Sequence, residues 1–164
     1  MYSNNSDPEI GAVLRRRPDA VARVRGSLHA AAVRGVVRFY QTTAGVLVFA
    51  DIHGLPTPAG PCAQPVFGFH IHSGGSCTGN ADDPFADVLG HYNPESCPHP
   101  HHAGDLPPLF GNRGRALSVV LTDRFTVREI LGRSVIIHAE PDDFHTQPSG
   151  DSGMKIACGE ITRG

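Results

Sequence analysis

The feature that most restricts what this chain can become is a histidine-dense stretch from Gly68 to Asp105. It opens with Gly68-Phe69-His70-Ile71-His72 and passes Cys77 and His91-Tyr92-Asn93-Pro94. It closes with His99-Pro100-His101-His102-Ala103-Gly104-Asp105. Six of the ten histidines lie here, and His138 follows further on. Histidine is the commonest metal ligand, and an aspartate carboxylate can join it. Dense His plus Asp at short spacing therefore points to a metal site. In a strand, residues i and i+2 face the same way. His70 and His72 then share one face, while Phe69 and Ile71 turn to a core. This arrangement predicts a metal on the outer side of a β-structure. A His-rich surface loop, or an H-x-H that merely packs, is the competing reading of that pair alone.

The rest of the chain supplies short strands. β-forming residues mark Ala20–Arg25, Val33–Gln41, Val46–Ile52, Val66–Ser73, Leu106–Phe110, Arg115–Thr122, Ser134–His138 and Gly153–Thr162. Gly and Pro, at 19 and 14 residues, are abundant enough for the turns between them. Two stretches carry little strand signal, Gly74–Pro107 and Ala139–Ser152. A loop as long as the first is usually functional. The fold class predicted is all-β, an eight-stranded Greek-key β-barrel or sandwich with two long functional loops. Phe125–Gly132 has room for a turn of helix. Asp82-Asp83-Pro84 and Asp87 read as solvated turn residues.

At 164 residues one domain is expected. Residues 1–18 form a tail in which Asp7-Pro8-Glu9 reads as a helix start, with Ile10, Val13 and Leu14 as its apolar stripe and Pro18 as its stop. The barrel occupies 19–164. A net charge of −2 argues against nucleic acid or an acidic membrane surface as partner. No apolar run approaches the ~20 residues that a membrane span needs. Met1–Asp7 is polar and Leu14 is followed by three arginines, which is not a signal-peptide pattern. As written, a cytoplasmic protein is expected; a missing leader would make it an exported one. Four cysteines, Cys62, Cys77, Cys97 and Cys158, allow three full pairings, and their spacing does not choose among them.

Five motifs in order, G-F-H-I-H, G-H-Y-N-P, H-A-G-D-L, V-I-I-H and K-I-A-C-G, resemble those of the copper/zinc superoxide dismutase family, bacterial type. The resemblance runs from about Asp19 to Thr162. It implies copper held by His70, His72, His91 and His138, and zinc held by His91, His99, His102 and Asp105, with His91 bridging the two. His101 rivals His99, because the stretch between His99 and His102 is short for the family. It also implies that Asp142 accepts hydrogen bonds from His70 and His99, orienting both rings. Cys77 would pair with Cys158, leaving Cys62 and Cys97 either as a second disulfide or as free thiols. The implied substrate is the superoxide anion, and the implied assembly is a monomer or homodimer. His91 would carry the proton that the reaction consumes. A non-enzymatic module that sequesters copper or zinc on the same barrel is the alternative.

Two departures from the family bear on rate. Lys155 stands where the family usually has Arg, and it lacks the planar two-pronged donor. It is expected beside the open copper position, guiding the substrate anion. The loop from His138 to Cys158 is shorter than the family's charged loop, with few evident steering residues.

Overall fold

The computed structural model describes residues 9–60, 62–63 and 65–164. Eight strands form one antiparallel sheet: β1 (Ala20–Gly26), β2 (Arg34–Thr42), β3 (Gly45–His53), β4 (Val66–His72), β5 (Asp105–Phe110), β6 (Arg115–Thr122), β7 (Ser134–His138) and β8 (Lys155–Arg163). Their order around the sheet is β5-β4-β7-β8-β1-β2-β3-β6. The two edges, β5 and β6, come close without hydrogen-bonded pairing, so the barrel is nearly closed. β1–β2–β3 is a meander, while β3 pairs with β6 and β4 with β7, which is the Greek-key crossing.

The strand sequences explain the wall. Ala20, Ala22 and Val24 alternate inward on β1, and Val46, Val48, Ala50 and Ile52 do so on β3. They meet Phe67, Phe69, Ile71, Leu109, Val135, Ile137 and Ile161 in one core. β4 and β7 depart from alternation, because nearly every residue on them is buried. Each is covered on its outer face as well. Ile136 packs outward against Phe85, Val88 and Cys158, beneath the loop that follows β4.

The expected strand positions hold to within two residues. β5 begins on Asp105, so that carboxylate sits on a strand, in register with His70 of β4. The expected helical turn is α2 (Val127–Ile130). In the tail, Asp7 and Pro8 lie outside the described residues. The described part is α1 (Ile10–Arg15), and the chain is already extended at Arg16, ahead of Pro18. Val13 packs against Tyr40 and Leu47 on the barrel's outer side.

Disulfide Cys77–Cys158, with Cα atoms 5.7 Å apart, ties the loop after β4 to β8. Cys62 and Cys97 are both free thiols, Cys62 exposed and Cys97 half-buried, so a second bridge between them is not formed. Among the described residues no helix is long and apolar enough to cross a membrane.

Candidate metal centre

Three segments deliver the histidines to one place. β4 carries His70 and His72, and β7 ends on His138. The loop after β4 returns to that strand through backbone bonds: Tyr92 N–H donates to Ile71 O (2.8 Å), Ile71 N–H to Gly104 O (2.8 Å) and Gly104 N–H to Tyr92 O (2.8 Å). This clip sets His91 opposite His72 and brings the His99–Asp105 segment beside His70. Gly104 is required there, because a Cβ would lie 2.3 Å from Ile71 O.

The face carrying His70 and His72 is not open to solvent, as a metal on the outside of a sheet would suggest. Both rings are buried, at 0% and 3% exposure, because the two loops fold over them. Two clusters result, His70–His72–His91–His138 and His91–His99–His102–Asp105. Within each, one donor atom per residue lies within 4.8 Å of the others. His99 is buried in the second cluster with His91, His102 and Asp105, and His101 is exposed outside it. His29 and His145 are exposed and His53 is half-exposed; none joins a cluster.

Hydrogen bonds fix which nitrogen of each ring is left for a metal. His70 Nε2–H donates to Asp142 Oδ2 (2.7 Å) and His99 Nε2–H to Asp142 Oδ1 (2.9 Å). This is the bridging role expected of Asp142. His72 Nδ1–H donates to Leu89 O (2.8 Å) and His138 Nδ1–H to Gly153 O (3.1 Å). Their Nε2 atoms then face each other, 3.3 Å apart. Nδ1 of His91 approaches Asp105 Oδ1 (2.7 Å) and His102 Nδ1 (3.3 Å). His70 Nδ1, His91 Nε2 and His99 Nδ1 are buried with no hydrogen-bond partner. Orphaned buried nitrogens are costly, and two metal ions would satisfy all three, one in the first cluster taking His70 Nδ1 and His91 Nε2 and one in the second taking His99 Nδ1.

The protonation states suit a metal too. Burial pushes His70, His72 and His102 below the ordinary histidine value, and takes His138 down to about 3. Burial raises Asp142, but hydrogen bonds from His70, His99 and the Phe144 N–H outweigh it and hold the carboxyl below its usual range. Asp105 shows the same balance, burial opposed by a hydrogen bond and charge from His91. Neutral imidazoles and ionised carboxylates are the forms that bind metal.

Several supporting residues carry no sequence signal. Arg124 Nη1 donates to the carbonyls of Pro100, His102 and Asp105, at 3.2, 3.3 and 3.2 Å. Gln147 brackets His99, accepting from its N–H (2.9 Å) and donating to its carbonyl (2.8 Å). Gly150, at φ +68°, lets the second loop cross Asp142, since a Cβ would lie 2.0 Å from Asp142 Oδ1. Asp83 and Asp87 are not free turn acids. Asp83 pairs with the Lys155 ammonium and Asp87 accepts from Thr78 Oγ1. Lys155 lies at the start of β8 in register with His138, but its ammonium is engaged by Asp83 rather than standing free.

A nearly closed β-barrel with two adjoining His/Asp clusters and one imidazole common to both defines a metalloprotein with a binuclear centre. Residues 33–161 match the family described as Copper/zinc superoxide dismutase (SODC). The chain is 34% identical over 144 residues to "Superoxide dismutase [Cu-Zn] 2" of Aquifex aeolicus, covering 79% of each chain. It is also 34% identical over 142 residues to "Superoxide dismutase [Cu-Zn]" of Photobacterium leiognathi, covering 77% of this chain and 78% of that one. The structure superposes on Cu/Zn superoxide dismutase from Brucella abortus with a TM-score of 0.71 and 25% identity, covering 86% and 98% of the two chains. The chain belongs to the copper/zinc superoxide dismutase family.

Proposed function

We propose that residues 19–164 form a superoxide dismutase domain in which two superoxide anions and two protons become one dioxygen and one hydrogen peroxide. His70 Nδ1, His72 Nε2, His91 Nε2 and His138 Nε2 would hold copper. His91 Nδ1, His99 Nδ1, His102 Nδ1 and an Asp105 oxygen would hold zinc. Bound copper supplies the one-electron redox chemistry, which zinc cannot. The observation that carries the reading is the placement of His91, whose Nε2 is unpartnered in one cluster while Nδ1 faces the other. A sequestering protein has no use for a shared ring. In a redox site, His91 Nε2 is the atom that, whenever it is not ligating copper, can hold a proton and hand it to the reduced substrate. Asp142 fixes one ring of each cluster and so couples the orientation of the two sites.

The net charge of −2 supports a reading without a nucleic-acid partner. Monomer or homodimer remains the proposed assembly, to be read from sedimentation of the loaded protein.

The test is superoxide dismutation by protein loaded with copper and zinc, with metal content measured on the same sample. Fast turnover at one copper and one zinc per chain is expected. A fully loaded but inactive protein would transfer the assignment to metal sequestration.

A further inference from the structure

Lys155 is the sole lysine of the chain; every other basic side chain apart from histidine is an arginine. It opens β8 opposite His138, next to Gly153 and Met154 of the loop that holds that ring. The side chain is only 17% exposed. The ammonium pairs with the Asp83 carboxylate and donates to Phe85 O (3.1 Å). Asp83 is itself held fast: Oδ1 accepts from Phe85 N–H (3.0 Å), and the backbone carbonyl accepts from Asn80 N–H (2.9 Å) and Ala86 N–H (3.1 Å). A rigid turn thus presents a fixed anion to the lysine nearest the copper-side ring.

A free ammonium attracts a small anion over a Debye length, about 8–10 Å at ordinary salt. An ammonium in contact with a carboxylate presents a dipole, and its attraction falls off much faster with distance. We propose that Asp83 is a positioning residue that sets the anion affinity of the copper-side site by neutralising Lys155. The inference rests on the copper assignment above. Asparagine at position 83 removes the charge and leaves one oxygen, open to either the Phe85 N–H or the ammonium, while Phe85 O still accepts from the ammonium. The four combinations of Asp83→Asn and Lys155→Met therefore form a series: net +1 for Asp83→Asn alone, 0 for the native pair and the double variant, −1 for Lys155→Met alone.

The probe is azide, a small monovalent anion, titrated onto copper(II)-loaded, zinc-loaded protein and followed by the copper(II) absorption spectrum. Asp83→Asn should bind azide roughly three- to tenfold tighter than the native protein, and Lys155→Met should bind it weaker by a similar factor. The double variant should fall within about twofold of native, and the spread should shrink at high salt. A structural role for the pair predicts instead that both single variants bind weaker. Affinity unchanged or weaker in Asp83→Asn would overturn the proposal. So would equal affinity in Lys155→Met and the double variant, since these differ only in the Asp83 charge. The signal of the single lysine, read by 15N labelling, should show the ammonium still held in Asp83→Asn. The azide series is independent of turnover. Native protein that orders the series but is inactive sinks the enzymatic reading alone, and active protein without the ordering sinks the role of Asp83 alone.

Discussion

At the scale of single residues, the site is a problem of choosing nitrogens. Each ring offers two, and the residue that takes the N–H decides which remains for metal. Asp142 takes Nε2–H from His70 and His99, while the carbonyls of Leu89 and Gly153 take Nδ1–H from His72 and His138. His99 and His101 are two residues apart, yet one is buried against Asp105 and Asp142 and the other is exposed. His99→Ala should therefore weaken zinc binding by at least about a hundredfold, since it removes a ligand and leaves Asp142 half unpaired. His101→Ala should leave zinc affinity within about twofold of native. Competition with a zinc chelator measures both, and a larger loss in His101→Ala would move the ligand to His101.

At the scale of elements, the long loop after β4 holds three of the four side chains of the second cluster, His91, His99 and His102, with little regular structure. Its order comes from fastenings: the backbone clip to Ile71, the Arg124 guanidinium on three carbonyls, and the Cys77–Cys158 bridge to β8. The bridge spans 81 residues of sequence. On the chain-entropy model, closing a loop of that size stabilises by about 4.5 kcal/mol, an upper figure. Cys77→Ser/Cys158→Ser should lower unfolding stability by about 2–4 kcal/mol, measured by guanidinium titration of the metal-free protein. It should also weaken zinc binding, because the loop loses an anchor. Stability unchanged to within about 0.5 kcal/mol would show that the barrel and the other fastenings hold the loop without it. Cys62 and Cys97 contribute nothing of this kind, being free.

For the whole molecule, the site is a stability liability until metal arrives. The rings of His70, His72, His102 and His138 are buried with folded-state values below the ordinary 6.5. A lowered histidine value means that the unfolded chain binds more protons as pH falls. The stability these groups support is full above about pH 6.5 and is lost progressively as pH drops, for His138 down to about 3. Asp105 and Asp142, also lowered, lose theirs below the ordinary 3.8, so the signs agree. The urea midpoint of metal-free protein should be nearly flat from pH 7 to 8.5 and fall steadily from pH 6.5 to 4. A flat midpoint across pH 4–7 would contradict burial of these rings in the metal-free state.

The eight strands and the paired histidines of β4 were legible in the sequence because strand formation is local. β-branched and aromatic residues with turn chemistry between them mark the wall, and the two-residue period puts His70 and His72 on one face. Resemblance of five ordered motifs named the other residues that the structure gathers into the two clusters, and Asp142 beside them. What the sequence did not decide is what covers, pairs or orients a side chain, since those partners lie far along the chain. Burial of the H-x-H face needs the loop near Ser152 and the loop near Leu89. The choice of His99 over His101 depends on Asp142, 43 residues later. The state of Lys155 depends on Asp83, 72 residues earlier and a turn acid on local reading. Local pattern fixes backbone conformation; only the closed barrel brings distant charges close enough for Coulomb's law to act on them.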